Sequence, residues 1–222
     1  MVTLALYGHP FSSYTWKALI PLYANETEFE FREVGPDHPE HGEFVQAVHP
    51  QGKFPVLVGS SPGGSSTVFE ATSIVEHLAL HHPGPAPLIP ADPAEAAIVR
   101  RLDRVFDNYV MNVMQVVVDE YIRDAVNPDT VRCQEARERL TRTYGWLEDW
   151  LADYPLGEEI TLIECAAAPS LFYADWVHPI GKEHPRLKSW RGHLLSLAPI
   201  QRCVEDARPW RSLFPLGAPD RD

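Results

Sequence analysis

The stretch from Gln51 to Ile74 carries the groups best suited to recognising a ligand. Pro55 has no amide hydrogen, so we expect it at a strand start or edge, where the backbone of Phe54 stays free to pair with an extended peptide. Glu70 comes directly before an apolar helical pattern, which places a carboxylate beside the anion-binding amides of a helix N-terminus. A pairing edge, a negative charge and a helix start together are what a small charged peptide requires.

Hydroxyl groups near the N-terminus form a second set of candidates. Ser12 and Ser13 follow the helix-breaking residues 8–10 and can cap a helix that runs to about Asn25. Tyr7 ends the preceding strand-like run. Since serines at a helix start are ordinary N-caps in most proteins, the pattern alone assigns them no chemistry.

The elements that must position these residues follow the order βαβ, α, ββα. Residues 3–7 are typical of a buried strand, and the period-two alternation of 29–34 predicts a second strand, parallel to the first across a right-handed crossover. The remaining predicted elements are a short helix at 43–48, hairpin strands at 54–58 and 67–69 around a Ser/Pro/Gly turn, and a helix at 71–82. This order predicts a four-stranded mixed sheet with helices on its faces, the thioredoxin-like arrangement.

The second half of the chain is predicted to be helical. Residues 83–92 are too rich in proline for a helix or a central strand and are interpreted as a linker between an N-terminal domain, 1–82, and an all-helical domain, 93–222. Apolar residues spaced by three and four predict two long antiparallel helices. Their predicted buried positions are Ile98, Leu102, Val105, Phe106, Tyr109, Val113 and Val116 on the first, and Cys133, Ala136, Leu140, Tyr144, Leu147 and Leu151 on the second.

A capping box, Thr161 with Glu164, predicts the start of another helix. The apolar composition of that helix indicates the buried centre of the second domain, and Pro169 is expected to weaken one of its hydrogen bonds and to kink it. One or two further helices are predicted over 183–203, and an irregular tail from Arg208.

Composition excludes several classes of function. The formal net charge of -12 over 222 residues argues against a nucleic-acid or anionic-membrane partner. No run approaches the roughly 18 apolar residues of a membrane span, and the N-terminus starts with a strand-like run, so we expect a cytoplasmic protein. The three cysteines, Cys133, Cys165 and Cys203, are far apart and fit core thiols better than a disulfide framework or a CxxC site.

Other catalytic and metal motifs are missing from the sequence. His38 with His41, and the pair His81 and His82, have loop-like contexts without a zinc pattern, so they are interpreted as solvated and no metal is expected. The Gly-rich loop at 59–66 lacks the Gly-Lys-Ser/Thr of a phosphate-binding loop. Neither Gly-x-Ser-x-Gly nor His-Glu-x-x-His occurs, which gives no support to a hydrolase.

The ordered combination of motifs resembles the cytosolic glutathione S-transferases over nearly the whole chain. The residues that carry the resemblance are Leu6-Tyr7-Gly8, Ser12 to Lys17, Pro50 to Leu57, Phe69-Glu70-Ala71, Ile74, Leu78 and the capped helix of the second half. The resemblance implies a thioredoxin-like domain followed by a helical bundle, and a homodimer. It also implies glutathione as co-substrate, with attack of its thiolate on a small hydrophobic electrophile.

The resemblance also implies roles for single residues of the Gln51 to Ile74 stretch. Phe54, before a cis Pro55, would bind the glutathione backbone, and Glu70 would receive the γ-glutamyl ammonium. Lys53 and His41 are the candidates for the glycine carboxylate.

Ser12 is the predicted donor to the glutathione sulfur, as in serine-using classes such as zeta, with Ser13 and Tyr7 as competitors. No cysteine occupies this turn, which disfavours thiol-disulfide reductase chemistry. The electrophile is expected to contact Phe11 and Tyr109, with Tyr173 or Trp176 as further candidates.

Ala71 departs from the family pattern, in which a serine binds the γ-glutamyl carboxylate. One missing hydrogen bond to a charged group costs about 1.5–3 kcal/mol, or some tenfold to hundredfold in affinity. The helix amides at Ala71 would remain, and Thr72 could compensate. The departure keeps two alternatives open beside a transferase: a non-catalytic binding or interaction module of the same fold, and a glutathione-dependent isomerase or dehalogenase.

Overall fold

The computed structural model describes residues 3–61, 64–154 and 157–222. One mixed sheet contains the strands in the order β2-β1-β3-β4. These strands are β1 (Thr3–Gly8), β2 (Glu30–Glu33), β3 (Val56–Ser61) and β4 (Gly64–Phe69). β1 pairs in parallel with β2 and antiparallel with β3, while β3 and β4 form an antiparallel hairpin. The predicted thioredoxin-like topology is therefore confirmed.

Helices complete the first half and make up most of the second. The first three are α1 (Ser13–Ala24), α2 (Pro39–Val48) and α3 (Ala71–His81). The second half contains α4 (Pro93–Val105), α5 (Asn112–Arg123), α6 (Thr130–Trp150), α7 (Leu162–Val177), α8 (Pro185–Ser196) and α9 (Ala198–Ala207). A π-helical segment (Phe106–Met111) joins α4 to α5, and a 3-10 helix (Arg208–Leu213) follows α9. The predicted helical second half is confirmed.

Three predicted boundaries need correction. The hairpin strands extend into the Ser/Gly segment, where Ser60 pairs with Ser65, because backbone pairing does not need apolar side chains; residues 62 and 63 of the predicted turn lie outside the described part. α2 starts at Pro39, four residues before the prediction, since the fixed φ of proline suits the first helical turn. Residues 208–213, predicted as irregular, form the 3-10 helix.

The π-helical segment changes which side chains of the first long helix face the core. A π turn adds a residue to the helical repeat, so the side chains from Phe106 to Met111 are rotated about the helix axis relative to an α-helix. Val110 is fully buried, whereas Tyr109, predicted to be buried, is 55% exposed. Ile98, on α4 before this segment, is also exposed.

α7 forms the centre of the packed interior, as predicted. All of its residues are buried, and the capping box is present, with Glu164 accepting from the backbone amide of Thr161 at 2.9 Å. The helix continues through Pro169. Cys133, Cys165 and Cys203 are buried free thiols, and burial raises the pKa of each, so the prediction of core thiols is confirmed.

The core extends from one half of the chain into the other. One cluster of buried apolar residues includes Leu6 and Trp16 from the first half together with Phe106 and Phe172 from the second. α1 packs directly against α7. The division into two domains with a linker at 83–92 stays a prediction. Within the described ranges, none of the helices has the length and apolar character needed to cross a membrane.

Candidate functional site

One cavity of about 380 Å³ collects most of the predicted ligand-binding residues. Lys53, Phe54 and Pro55 line it from the segment before β3, and Glu70 and Ala71 line it from the start of α3. The opposite wall comes from the second half of the chain. Its residues are Arg104, Asp107, Asn108 and Asn112. The cavity is therefore a cleft between the two halves, and it is called the polar cleft below.

The peptide bond between Phe54 and Pro55 is cis, as the family resemblance implies. Pro55 is buried and directly precedes β3. Because proline has no amide hydrogen, Pro55 donates no hydrogen bond within the ladder. The backbone of Phe54 consequently borders the polar cleft outside the strand pairing.

Glu70 adopts an unusual backbone conformation at the end of β4. Its φ is 69°, in the left-handed region that non-glycine residues rarely occupy, and such residues concentrate at functional sites. The side chain is 71% exposed, and it makes no capping hydrogen bond to α3. The carboxylate is thus available to a ligand in the cleft.

His49 lies beside Glu70. Its Nδ1 accepts hydrogen bonds from the backbone amides of Gln51 (3.1 Å) and Lys53 (3.3 Å). In the neutral ring the proton must therefore lie on Nε2, which is 3.7 Å from Glu70 Oε1. The buried His49 ring thus holds the loop before β3 through two hydrogen bonds and lies close to the Glu70 carboxylate.

Thr72 does not replace the hydroxyl that is missing at Ala71. Its Oγ1 lies 3.1 Å from Asp103 Oδ2 and also accepts a hydrogen bond from Arg104. This arrangement turns the hydroxyl toward α4. At the start of α3, no side chain of the described residues caps the first turn, so the backbone amides there are the groups suited to pairing with an anion.

Behind the polar cleft, a buried ion-pair network joins the two halves. Lys17 Nζ, on α1, lies 2.5 Å from Asp103 Oδ1 and 2.7 Å from Asp107 Oδ1. The side chains of Lys17 and Asp103 are almost fully buried. Burial raises the pKa of Asp107, with Lys17 acting in the opposite direction. Arg104 pairs with both carboxylates at the rim of the cleft.

A second cavity, of about 360 Å³, adjoins the polar cleft. Tyr14 and Phe54 line both cavities. Ser12 and Ser13 line the second, and most of its other walls are apolar, with Phe11, Met114, Val118, Ile122, Tyr173 and Phe214 among them. It is called the apolar pocket below.

Ser12 is the N-cap of α1, and its hydroxyl oxygen accepts the backbone amide of Thr15 at 3.3 Å. This bond uses a lone pair and leaves the hydroxyl proton available for donation. Tyr14 donates to Asn112 across the cleft at 3.1 Å, and burial, followed by the charges of Asp107 and Glu70, raises its pKa, which keeps the phenol protonated.

Several predicted residues lie elsewhere. Tyr7, on β1, is buried, and its hydroxyl oxygen accepts a hydrogen bond from Arg32. His41 Nδ1 is 2.7 Å from the carbonyl oxygen of Glu33. Neither is among the described residues that line the polar cleft or the apolar pocket. Tyr109 lines a separate groove beside Trp146, because the π-helical segment turns it outward.

A larger cavity of about 790 Å³ lies away from these residues. It is bordered by residues 85–87 and 196–199, and its charged side chains are Glu158 and Glu159. Its size alone does not identify a site, whereas the polar cleft combines ammonium-binding and carboxylate-binding groups.

Sequence reasoning missed His49, Tyr14 and the wall from α4 and α5. His49 directly precedes the Pro50 to Leu57 motif, and this position in the sequence is the one local signal that could have indicated His49 as a site residue. Arg104, Asp107 and Asn112 enter the site only through packing of the two halves.

Comparisons with known proteins agree with this geometry. Residues 6–86 match the sequence model of the glutathione S-transferase N-terminal domain, and residues 116–193 match that of the C-terminal domain. FtsZ-localized protein A of Caulobacter vibrioides is 30% identical over 181 residues, covering 76% of each chain. A probable maleylacetoacetate isomerase of Caenorhabditis elegans is 23% identical over 172 residues, 77% of this chain and 78% of that protein.

Among solved structures, a maleylacetoacetate isomerase from Anaeromyxobacter dehalogenans superimposes with a TM-score of 0.73 and 26% identity. The match covers 100% of this chain and 94% of that one. The active site of that isomerase holds dicarboxyethyl glutathione and citrate.

Proposed function

This chain belongs to the glutathione S-transferase family, and we propose that it binds glutathione in the polar cleft and directs its thiolate at a small hydrophobic electrophile in the apolar pocket. The observation that carries the proposal is the junction of the two cavities at Phe54 and Tyr14, with Glu70 in one and Ser12 in the other. A peptide whose ammonium reaches Glu70 can then present its sulfur near Ser12.

Each charged end of glutathione has a counterpart in the polar cleft. Glu70 receives the γ-glutamyl ammonium, and the backbone amides that start α3 at Ala71 receive the adjacent carboxylate. The backbone of Phe54 pairs with the cysteinyl unit, and Lys53 faces the glycine carboxylate. His49 keeps the Glu70 carboxylate and the Lys53 segment in place.

Ser12 donates a hydrogen bond to the sulfur and favours the thiolate. Lowering a thiol pKa from about 8.5 to about 6.5 raises the thiolate fraction at pH 7 roughly 25-fold, while the accompanying loss of nucleophilicity removes about eightfold. The net gain in reaction rate from the lowered thiol pKa is therefore only about threefold. Positioning of the electrophile beside the sulfur must therefore supply most of the rate, and the aromatic and aliphatic walls of the apolar pocket provide it.

Isomerisation or dehalogenation by the same thiolate is a variant of this proposal. Maleylacetoacetate isomerases are among the relatives by sequence and by structure. Both reactions begin with attack of the thiolate on carbon, by addition to a double bond in isomerisation or with displacement of halide in dehalogenation, so the same two cavities can serve either. The chemical identity of the electrophile separates them.

The test is the rate of thioether formation between glutathione and an activated aryl chloride. We expect acceleration over the uncatalysed reaction, and a loss of most of it in Ser12→Ala. Acceleration that is unchanged in Ser12→Ala removes Ser12 from the sulfur contact. A rate equal to the uncatalysed one, in a protein that binds glutathione, contradicts a transferase acting on this class of electrophile.

A second candidate function is a non-catalytic interaction module. Two observations favour it: the site lacks the hydroxyl at Ala71 while Thr72 is engaged with Asp103, and a 30% identical relative is named for its localisation with FtsZ. Cosedimentation of the purified protein with polymerised FtsZ tests it. Binding to the polymer together with no binding of glutathione would favour the module over the enzyme.

We also propose a cytoplasmic homodimer, as the family resemblance implies. Sedimentation equilibrium of the purified chain measures the stoichiometry directly.

A further inference from the structure

Two imidazoles and a carboxylate converge at the start of α2, outside both cavities. His38, Glu40 and His41 each offer a ligand atom, and these atoms all lie within 4.8 Å of one another. His38 Nδ1 is 3.6 Å and His41 Nε2 is 3.8 Å from Glu40 Oε1. We propose that these three side chains bind a divalent transition-metal cation, with Zn²⁺ as the best match.

The spacing suits tetrahedral coordination. With metal–ligand bonds of about 2.0–2.1 Å, neighbouring ligand atoms of a tetrahedron lie about 3.4 Å apart. The two distances to Glu40 exceed this edge by a few tenths of an ångström, and the third distance, between the two imidazole nitrogens, is within 4.8 Å. Rotation of the exposed His38 and Glu40 side chains would bring the three ligand atoms to the tetrahedral spacing.

A hydrogen bond to the backbone prepares His41 for coordination. Its Nδ1 lies 2.7 Å from the carbonyl oxygen of Glu33, which can only accept, so Nδ1 carries the proton and the lone pair lies on Nε2. Metal-binding histidines characteristically donate their other ring N–H in this way. Edge-on packing of the ring against Tyr7, at 5.5 Å between centroids, fixes its direction toward Glu40.

The electrostatics of the cluster are balanced by Glu40. The positive end of a helix disfavours a cation at this position. The carboxylate opposes that effect, as does the net charge of -12 on the chain.

The ligand set selects the class of cation. Imidazole nitrogens favour Zn²⁺, Ni²⁺, Co²⁺ and Cu²⁺, whereas Mg²⁺ and Ca²⁺ prefer sites built wholly from oxygen. Three protein ligands leave one position of a tetrahedron to water. Because His38 precedes α2 and His41 bonds back to β2, a bound ion would clamp the β2–α2 connection.

From the sequence, His38 and His41 are expected to be solvated, because they lie in a loop-like context without a zinc pattern. Glu40 and the carbonyl of Glu33 supply what the pattern lacks. A second histidine pair, His77 and His81 on α3, has rings 4.6 Å apart and is a competing site for a divalent cation, although no carboxylate of the described residues clusters with it.

The test is calorimetric titration of chelator-treated, dialysed protein with Zn²⁺, supported by the visible spectrum of bound Co²⁺. The Zn²⁺ titration and the Co²⁺ spectrum are both measured in a His77→Ala/His81→Ala background, which removes the histidine pair of α3 as a competing site. We expect one Zn²⁺ per chain and a tetrahedral Co²⁺ spectrum. His38→Ala and Glu40→Gln should each weaken Zn²⁺ binding at least about tenfold. Loss of a group that only hydrogen-bonds to a metal ligand already lowers metal affinity about tenfold or more, and these variants remove a ligand itself.

His38→Ala and Glu40→Gln alter exposed side chains and leave the packing of His41 on Tyr7 intact, so both variants should fold. The proposal is overturned if the double-alanine background binds no Zn²⁺, or if neither variant changes the affinity of that background. A Zn²⁺-dependent rise in the thermal unfolding midpoint that His38→Ala abolishes would support it independently.

Discussion

At the residue scale, the start of α3 sets the strength of the ligand site. Glu70 presents an exposed carboxylate, while Ala71 supplies a methyl group where the family pattern has a hydroxyl. Thr72 points its hydroxyl at Asp103 and Arg104 instead. The γ-glutamyl carboxylate is therefore left with backbone amides, which predicts binding that is retained but weakened.

Glu70→Gln should weaken glutathione binding by well over tenfold, because the ligand ammonium loses its counter-charge while the shape of the side chain is kept. Glutathione affinity measured by calorimetry checks this. Glu43→Gln, which alters an exposed carboxylate on α2, is the matched control and should leave the affinity unchanged. Equal affinity in Glu70→Gln and wild type would remove Glu70 from the site.

Ser12→Ala should raise the pKa of the bound glutathione sulfur, so that thiolate absorbance appears at higher pH. It should also lower the free energy of unfolding by about 1 kcal/mol, because the N-cap of α1 is lost. Ser12→Thr keeps both the cap and the donor and should titrate like wild type. An unmoved titration in Ser12→Ala, with a shift in Ser13→Ala, would transfer the role to Ser13.

At the element scale, the connection between α2 and β3 is held by one buried ring. His49 ends α2, accepts two backbone amides from the following loop and faces Glu70 with Nε2. The loop carries Lys53 and Phe54 into the polar cleft. The conformation of the loop that carries Lys53 and Phe54 thus depends on hydrogen bonds to a single side chain.

His49→Ala should reduce the free energy of unfolding by about 1–3 kcal/mol, because the amides of Gln51 and Lys53 lose their acceptor. His49→Asn keeps an acceptor oxygen near that position and should recover much of the stability, but not the contact with Glu70. Urea unfolding and glutathione titration of both variants separate the two roles. If His49→Asn matched wild type in glutathione affinity, Nε2 would have no part in positioning Glu70.

The same scale shows what could be predicted from the sequence. Phe54, Pro55 and Glu70 are found together because one local motif carries them, and the strand order follows from the chain order of short elements. Tyr109 was misplaced because a π-helical segment is invisible to a spacing of three and four. Arg104 and Asp107 could not be predicted as site residues, since only packing between the two halves brings them to the cleft.

At the scale of the whole molecule, the Lys17 network joins the first and second halves. Lys17 lies between Asp103 and Asp107, and removal of one partner from a buried ion pair leaves an uncompensated charge. The same carboxylates hold Thr72 and Arg104 at the rim of the cleft. The network thereby couples the geometry of the site to the packing of the halves.

Lys17→Met should lower the free energy of unfolding by about 3–5 kcal/mol at neutral pH. Burial already raises the pKa of Asp107, and loss of Lys17 raises it further. A carboxyl whose folded pKa exceeds its unfolded value favours the folded state at low pH and loses that contribution as pH rises through the folded pKa. The deficit of Lys17→Met relative to wild type should therefore shrink toward acidic pH.

The control for this variant is Arg100→Met. Arg100 on α4 pairs with Glu76 on α3 at 2.7 Å, so this ion pair also joins the two halves. Both side chains are substantially exposed, so Arg100→Met should lower the free energy of unfolding by less than about 1 kcal/mol. Equal losses in the two variants, measured by urea unfolding, would contradict the assignment of Lys17 as the buried link.

The central claim is that the polar cleft is a glutathione site weakened by one missing hydroxyl. Calorimetric titration of wild type and Ala71→Ser with reduced glutathione near neutral pH tests it. We predict that wild type binds with proton release, and that Ala71→Ser binds about tenfold to hundredfold more tightly, the equivalent of about 1.5–3 kcal/mol. Absence of binding heat in both proteins at about 10 mM glutathione, a concentration that detects affinities near −3 kcal/mol, would contradict the claim and favour the interaction module.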